Sequence, residues 1–222
     1  FYVQLPGVRL GKGKPYPYMM GMPERLLRYN RRPARKDRTE MWQKYLFPGS
    51  VEEALEMLTA HPGESQIIAG GTDLVLQSKR GQCPATVIVD VTHIPDLDFI
   101  VERDGFIAIG CQATHAQIAA SPLIHKKAEV LASACGSVGG PATRNVGTLV
   151  GNVVNALPAA DGAIALFALD AEVEVADAGG RRWMPIAELY AGVGQCVLDP
   201  CAQMVTAIRF RPLEPGQASA YQ

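Results

Sequence analysis

The chain has 222 residues, with 21 Lys and Arg against 22 Asp and Glu, 48% hydrophobic and 19% charged. That leaves enough apolar material for a packed core and too little charge for a disordered polypeptide. No apolar run approaches the roughly 18–20 residues needed to cross a bilayer, and the length suits one large domain or two small ones.

The near-neutral total hides a split. Residues 1–47 hold eleven Lys/Arg against three acids, a charge of +8, while the remainder holds ten against nineteen, a charge of −9. Pro6, Pro15, Pro17, Pro23 and Pro33 argue against a long basic helix of the DNA-reading kind. Residues 1–43 are therefore expected to form an arm that lies on a partner or on the acidic body, ahead of a flexible extension, with no nucleic-acid partner. Within the arm, Gly7-Val8-Arg9-Leu10-Gly11-Lys12-Gly13 imitates a phosphate loop. It has three residues between the first two glycines where a Walker loop needs four, and Gly13 stands where Ser or Thr would bind magnesium.

From residue 48 the pattern is orderly. Ser50-Val51-Glu52-Glu53 predicts a capping box, and Val51, Ala54, Leu55 and Leu58 a single apolar helical face ending at His61-Pro62-Gly63. Gln66–Ala69 reads as a short buried strand running into Gly70-Gly71, with further strands at Thr86–Val91 and Phe106–Cys111. Thr114 caps a short helix through Ala120, and a longer helix is expected over Lys126–Cys135. After a glycine-rich stretch, Gly136–Gly151, come an alanine-rich segment (Ala159–Leu169), an alternating strand (Glu172–Ala176), a turn at Gly179-Gly180 and a last strand (Met204–Phe210). Strands alternating with helices predict an α/β or α+β fold.

Little in the sequence points to side-chain catalysis. There is no G-x-S-x-G elbow, no G-x-G-x-x-G after a strand, and no pair of the four histidines at metal-binding spacing. The five Cys (83, 111, 135, 196, 201) form no C-x-x-C pair and read as reduced thiols of a cytoplasmic protein. No catalytic or metal-ligating residue is expected. The opening on Phe1 rather than Met, and the stop at Gln222 just after a strand, lead to the expectation of a fragment.

Two glycine-centred loops remain. In Ile67-Ile68-Ala69-Gly70-Gly71-Thr72-Asp73-Leu74 a strand meets successive glycines, whose main-chain N–H groups can line a concavity suited to a diphosphate. In Gly147-Thr148-Leu149-Val150-Gly151-Asn152 the hydroxyl and amide can donate, and Asp161, downstream in Pro158-Ala159-Ala160-Asp161, suits a sugar hydroxyl as acceptor.

These motifs, with Phe47-Pro48-Gly49-Ser50-Val51-Glu52-Glu53-Ala54, Gly110-Cys111-Gln112-Ala113-Thr114, Arg144-Asn145-Val146 and Ser219-Ala220-Tyr221, resemble the FAD-binding medium subunit of the molybdenum hydroxylases. Xanthine dehydrogenase and carbon monoxide dehydrogenase typify that family. The resemblance covers about Lys44 to Gln222. It implies an α+β, two-subdomain FAD module of the vanillyl-alcohol-oxidase and cell-wall-reductase type over 44–222, with a subdomain boundary near 100–105. By position, it makes Ile67, Ile68, Ala69, Gly70, Gly71, Thr72, Asp73 and Leu74 one wall of the FAD site. Gly147, Thr148, Leu149, Val150, Gly151 and Asn152 make the other; Asp161 would hold sugar or ribityl hydroxyls, and Leu198 would lie near the flavin ring. Three departures stand out. Val150 replaces a usual glycine, so its Cβ is expected to narrow the approach; Gln222 replaces a common basic residue; and the stop at Gln222 leads to the expectation that the family's smaller C-terminal domain is missing.

The function implied is electron transfer. A large partner subunit would hold the molybdenum cofactor, a small one two 2Fe–2S clusters, and FAD on this chain would pass electrons to an acceptor such as NAD or oxygen. A stand-alone FAD oxidoreductase and a flavin-free structural relative are the alternatives.

Overall fold

The computed structural model describes residues 41–214 and 216–221. Apart from its last three residues, the expected basic arm lies outside the described residues, as does Gln222.

A three-stranded parallel sheet comes first. Strands β1 (Lys44–Leu46), β2 (Ser65–Ile68) and β3 (Val87–Asp90) assemble in the order β1-β3-β2, with Lys44 and Ser65 both level with Val87. Central β3, Val-Ile-Val-Asp, is buried along its length, as a parallel strand covered on both faces must be. Helix α1 (Val51–Thr59) buries Val51, Ala54, Leu55 and Leu58 in the same core as Val89. Ser50 caps it by accepting from the Glu53 amide, but Glu53 Oε2 accepts from the Gly49 amide at 2.6 Å instead of closing the predicted box on Ser50. Side chains alternate across a strand, so Ile88 faces the other way, into a small cluster with Ile68, Leu74 and Ala85 under α2 (Leu74–Lys79) and Trp42.

The larger sheet has five antiparallel strands in the order β4-β5-β10-β6-β7. They are β4 (Ile100–Arg103), β5 (Phe106–Gly110), β6 (Glu172–Asp177), β7 (Gly180–Pro185) and β10 (Met204–Phe210), while β8 (Tyr190–Gly192) and β9 (Gln195–Cys196) pair apart from them. The last strand thus inserts at the centre, Ile208 opposite Ile109 on one side and Val173 on the other. Asp177 accepts from the Gly179 amide and Gly180 takes a φ of +113°, which turns β6 into β7 where the Gly-Gly pair predicts it.

Between β5 and β6 run α3 (His115–Ala119), α4 (Pro122–Lys127), α5 (Glu129–Ser137), α6 (Pro141–Arg144), α7 (Leu149–Val154) and α8 (Asp161–Ala168). Ile118, Leu131 and Leu166 from these helices share one core with Ile109, Val173 and Ile208 of the sheet. Helices segregated to one stretch beside an antiparallel sheet make the fold α+β.

The helix expected over Lys126–Cys135 is two helices. Ser121 and Pro122 start the first earlier than expected, and Ala128 (φ −161°, ψ 59°) separates it from the second. The break turns the Lys127 carbonyl outward to accept from the Leu213 amide, 3.1 Å away and 86 residues along the chain. A long-range hydrogen bond of that kind overrides local helix propensity.

Candidate functional site

Both glycine loops open on one cleft of about 540 Å³. The first leaves β2 and enters α2, with Gly71 in the left-handed region (φ +67°) and Gly70 against the second loop. A Cβ on Gly70 would lie 1.9 Å from the Val146 carbonyl oxygen and 2.8 Å from the Gly147 Cα. Main chain meets main chain there, and only glycine fits.

The second loop is held from below. Gly147 O accepts from the His115 amide at 2.9 Å, the Leu149 amide donates to Ala113 O at 3.2 Å, and Thr114 bridges Thr148 in antiparallel fashion. Thr148 then caps α7, its hydroxyl accepting from the Gly151 amide at 3.1 Å. Asn152 Oδ1 accepts from the Ala163 amide, tying α7 to the start of α8. Gly162 makes that approach possible, since a Cβ there would fall 2.6 Å from Leu149 Cδ1. Across the cleft, Gln77 Nε2 of α2 donates to Asn155 Oδ1 at 3.3 Å.

All eight residues from Ile67 to Leu74 line the cleft, as do Gly147, Thr148, Gly151, Asn152 and Asp161. Asp161, at the first turn of α8, accepts a hydrogen bond from the Tyr221 hydroxyl, which pushes the Tyr221 phenol up from its ordinary range. Leu149 stands apart: its side chain is fully buried in the core and lines neither this cleft nor its neighbour. Val150 turns its side chain away from the cleft, into an adjoining apolar cavity of about 180 Å³. Leu198 lines that cavity too, and Ile67, Ala69, Thr148 and Gly151 are common to both spaces.

Sequence reasoning missed His115. It lines the cleft at 2% exposure, and its Nδ1 is buried with no hydrogen-bond partner. Burial holds its pKa below the ordinary histidine value, against the field of Asp161 and with that of Arg144. The preceding Thr114 is a sound helix cap, and a cap carries no information about the ring that follows it. The other histidines are engaged elsewhere: His61 with Met57 O, His93 edge-on to Phe47, and His125 with Glu129. Burial pushes the thiols of Cys111 and Cys135 up to about 12, so both are protonated and inert at neutral pH. Among the described residues no cluster of His, Cys, Asp and Glu could hold a metal ion.

Two loops packed main chain to main chain on one cleft, and an orphaned nitrogen in its wall, fit an anionic group held mainly by main-chain N–H donors. Such a site binds and orients; no nucleophile–base pair lines it among the described residues.

Comparison with known proteins shows the family. The profile of a family described as "FAD binding domain in molybdopterin dehydrogenase" matches residues 38–212. The chain is 33% identical over 152 residues to the nicotinate dehydrogenase FAD-subunit of Eubacterium barkeri, covering 68% of this chain and 51% of that one. It is 27% identical over 179 residues to the carbon monoxide dehydrogenase medium chain of Hydrogenophaga pseudoflava, covering 81% and 62%. The solved carbon monoxide dehydrogenase from Hydrogenophaga pseudoflava that lacks the Mo-pyranopterin moiety superposes with a TM-score of 0.76 at 25% identity, over 79% of this chain and 61% of that one. The chain therefore spans between about half and three-fifths of the length of these relatives.

Proposed function

The chain belongs to the family of FAD-binding domains of molybdopterin dehydrogenases, and on that premise we propose that it is the electron-transfer subunit of a multi-subunit molybdenum hydroxylase, with FAD laid across the cleft. The observation that carries the reading is the closure of Gly70 on Val146 and Gly147, which sets two loops back to back around one concavity. In this reading Ile67 to Leu74 form one wall for the diphosphate, and Gly147, Thr148, Gly151 and Asn152 form the other. Asp161 accepts from a sugar or ribityl hydroxyl. The apolar cavity beside Leu198 and Val150 receives one of the cofactor's ring systems.

Bound flavin supplies a carrier that takes up and releases one or two electrons. The chain's part is to hold and orient it, which needs no acid–base dyad. The proposed partners are a large subunit with the molybdenum cofactor and a small subunit with 2Fe–2S clusters, with NAD or oxygen as acceptor, in the cytoplasm. The names of the relatives, FAD-subunit and medium chain, support a place in such an assembly. No described helix is long and apolar enough to cross a membrane. The parallel and antiparallel sheets, parting between Asp90 and Ile100, support a two-subdomain module of the vanillyl-alcohol-oxidase type; the proposed boundary near 100–105 falls at β4, the first strand of the antiparallel sheet. A basic arm over 1–43 completes the proposed division of the chain.

An absorption spectrum of the purified chain, before and after addition of FAD and desalting, tests the reading. Retained flavin that heat releases as FAD is expected. A chain that stays colourless after incubation with excess FAD would contradict it.

A further inference from the structure

The cleft has an unusual charge balance for an anion site. Two carboxylates line it, Asp73 and Asp161, and among the described lining residues there is no Lys or Arg. The nearby guanidinium of Arg144 is turned to the chain itself, donating to the carbonyls of Val138 (3.1 Å) and Gly139 (2.9 Å). One lining side chain can become positive, His115. Its ring lies under the second loop where the first approaches it: a Cβ on Gly147 would fall 3.4 Å from His115 Cδ2 and 3.7 Å from Thr72 Cγ2.

We propose that a diphosphate entering the cleft draws a proton onto His115, so that binding of the cofactor is coupled to proton uptake and the imidazolium supplies the positive charge the lining otherwise lacks. This rests on the reading that the cleft binds FAD. With the cleft empty, burial opposes the charged ring, Asp161 of α8 favours it and Arg144 of α6 opposes it. On the helices packed against α3, His125 and Glu129 pair with each other in solvent and Lys127 pairs with Glu102, while Lys126 is exposed. Tyr221, by hydrogen bonding to Asp161, moderates the one field that favours protonation. A bound dianion adds negative charge beside the ring and reverses the balance.

The sign follows. The empty chain holds His115 below its unfolded pKa, so it loses stability as pH falls below about 6.5, the ordinary histidine value. The loaded chain holds the same group higher, so affinity for FAD rises as pH falls. A rise of one unit is a tenfold gain in affinity between the two limits.

Calorimetric titration of the chain with FAD, and with ADP as a probe of the diphosphate end, tests this in buffers of different ionisation enthalpy between about pH 5.5 and 8, the histidine range. Expected are net proton uptake on binding, affinity for FAD that rises steadily toward the acid end, and loss of both in His115→Gln, which still binds. Ring resonances of histidine-labelled wild-type chain provide a second measurement that does not depend on the variant folding. One imidazole should move to the charged form on FAD addition while those of His61, His93 and His125 hold still. FAD binding without proton uptake, uptake that persists in His115→Gln, or a His115 ring that stays neutral would overturn the proposal alone. Failure to bind FAD at any pH would overturn the underlying reading with it.

Discussion

The two loops of the cleft reach the same surface by opposite means. The second is held by its own neighbours: the His115 and Leu149 amides pin it to the 113–115 segment, and Thr148 caps the helix that follows. In the first, Asp73 gives the following helix no side-chain cap, and the loop's position is set by contact, Gly70 lying flat on Val146 and Gly147. A loop fixed by internal hydrogen bonds tolerates change in its surroundings. One fixed by close approach tolerates almost none, because a single methyl has nowhere to go.

The largest test of that contrast is Gly70→Ala. The added Cβ cannot coexist with the Val146 carbonyl, and overpacking of this kind costs about 1–3 kcal/mol. Spent in parting the loops, that becomes up to about a hundredfold loss of FAD affinity by fluorescence titration, with the circular dichroism spectrum kept. Next is Thr148→Ala, which removes a cap worth about 1 kcal/mol; thermal melting should register it, and FAD affinity should fall less than in Gly70→Ala. Asp161→Asn acts on the rim. Tyr221, freed from a carboxylate acceptor, should titrate at lower pH in a difference spectrum of the tyrosines, with a several-fold weakening of FAD expected from one lost hydrogen bond of about 0.5–1.5 kcal/mol. Gly140→Ala is the smallest. Nothing lies within 4 Å of the new methyl, and loss of the glycine N-cap of α6 is offset by reduced freedom of the unfolded chain, so stability should change by less than about 0.5 kcal/mol. An equal effect of the two glycine variants would break the comparison.

Much of this was legible in the sequence because it is local. Ser50 and Thr114 cap helices where their spacing predicts, and the glycine pair ends β2 where the sequence places it. What escaped is long-range. The break at Ala128 serves a hydrogen bond to Leu213, and β7 is an edge strand whose Gly-Arg-Arg start disguises it, as charged edges do. Leu149 shares a motif with Thr148 and Gly151, yet helical geometry sends it into the core. Val150 was expected to crowd the approach and instead faces the apolar cavity. His115 carries no signal, since only folding brings it under Gly147, 32 residues later in the chain.

The central claim is that the two loops together grip a diphosphate. Equilibrium titration of the 222-residue chain with FAD and, separately, with riboflavin, which lacks the diphosphate and the adenosine beyond it, tests it most directly, with adenosine as the control for the second loss. Two charge-assisted hydrogen bonds at about 1.5–3 kcal/mol each predict saturable binding of FAD and at least about a hundredfold weaker binding of riboflavin. Riboflavin bound as tightly as FAD, or no saturable binding of FAD, would contradict the account.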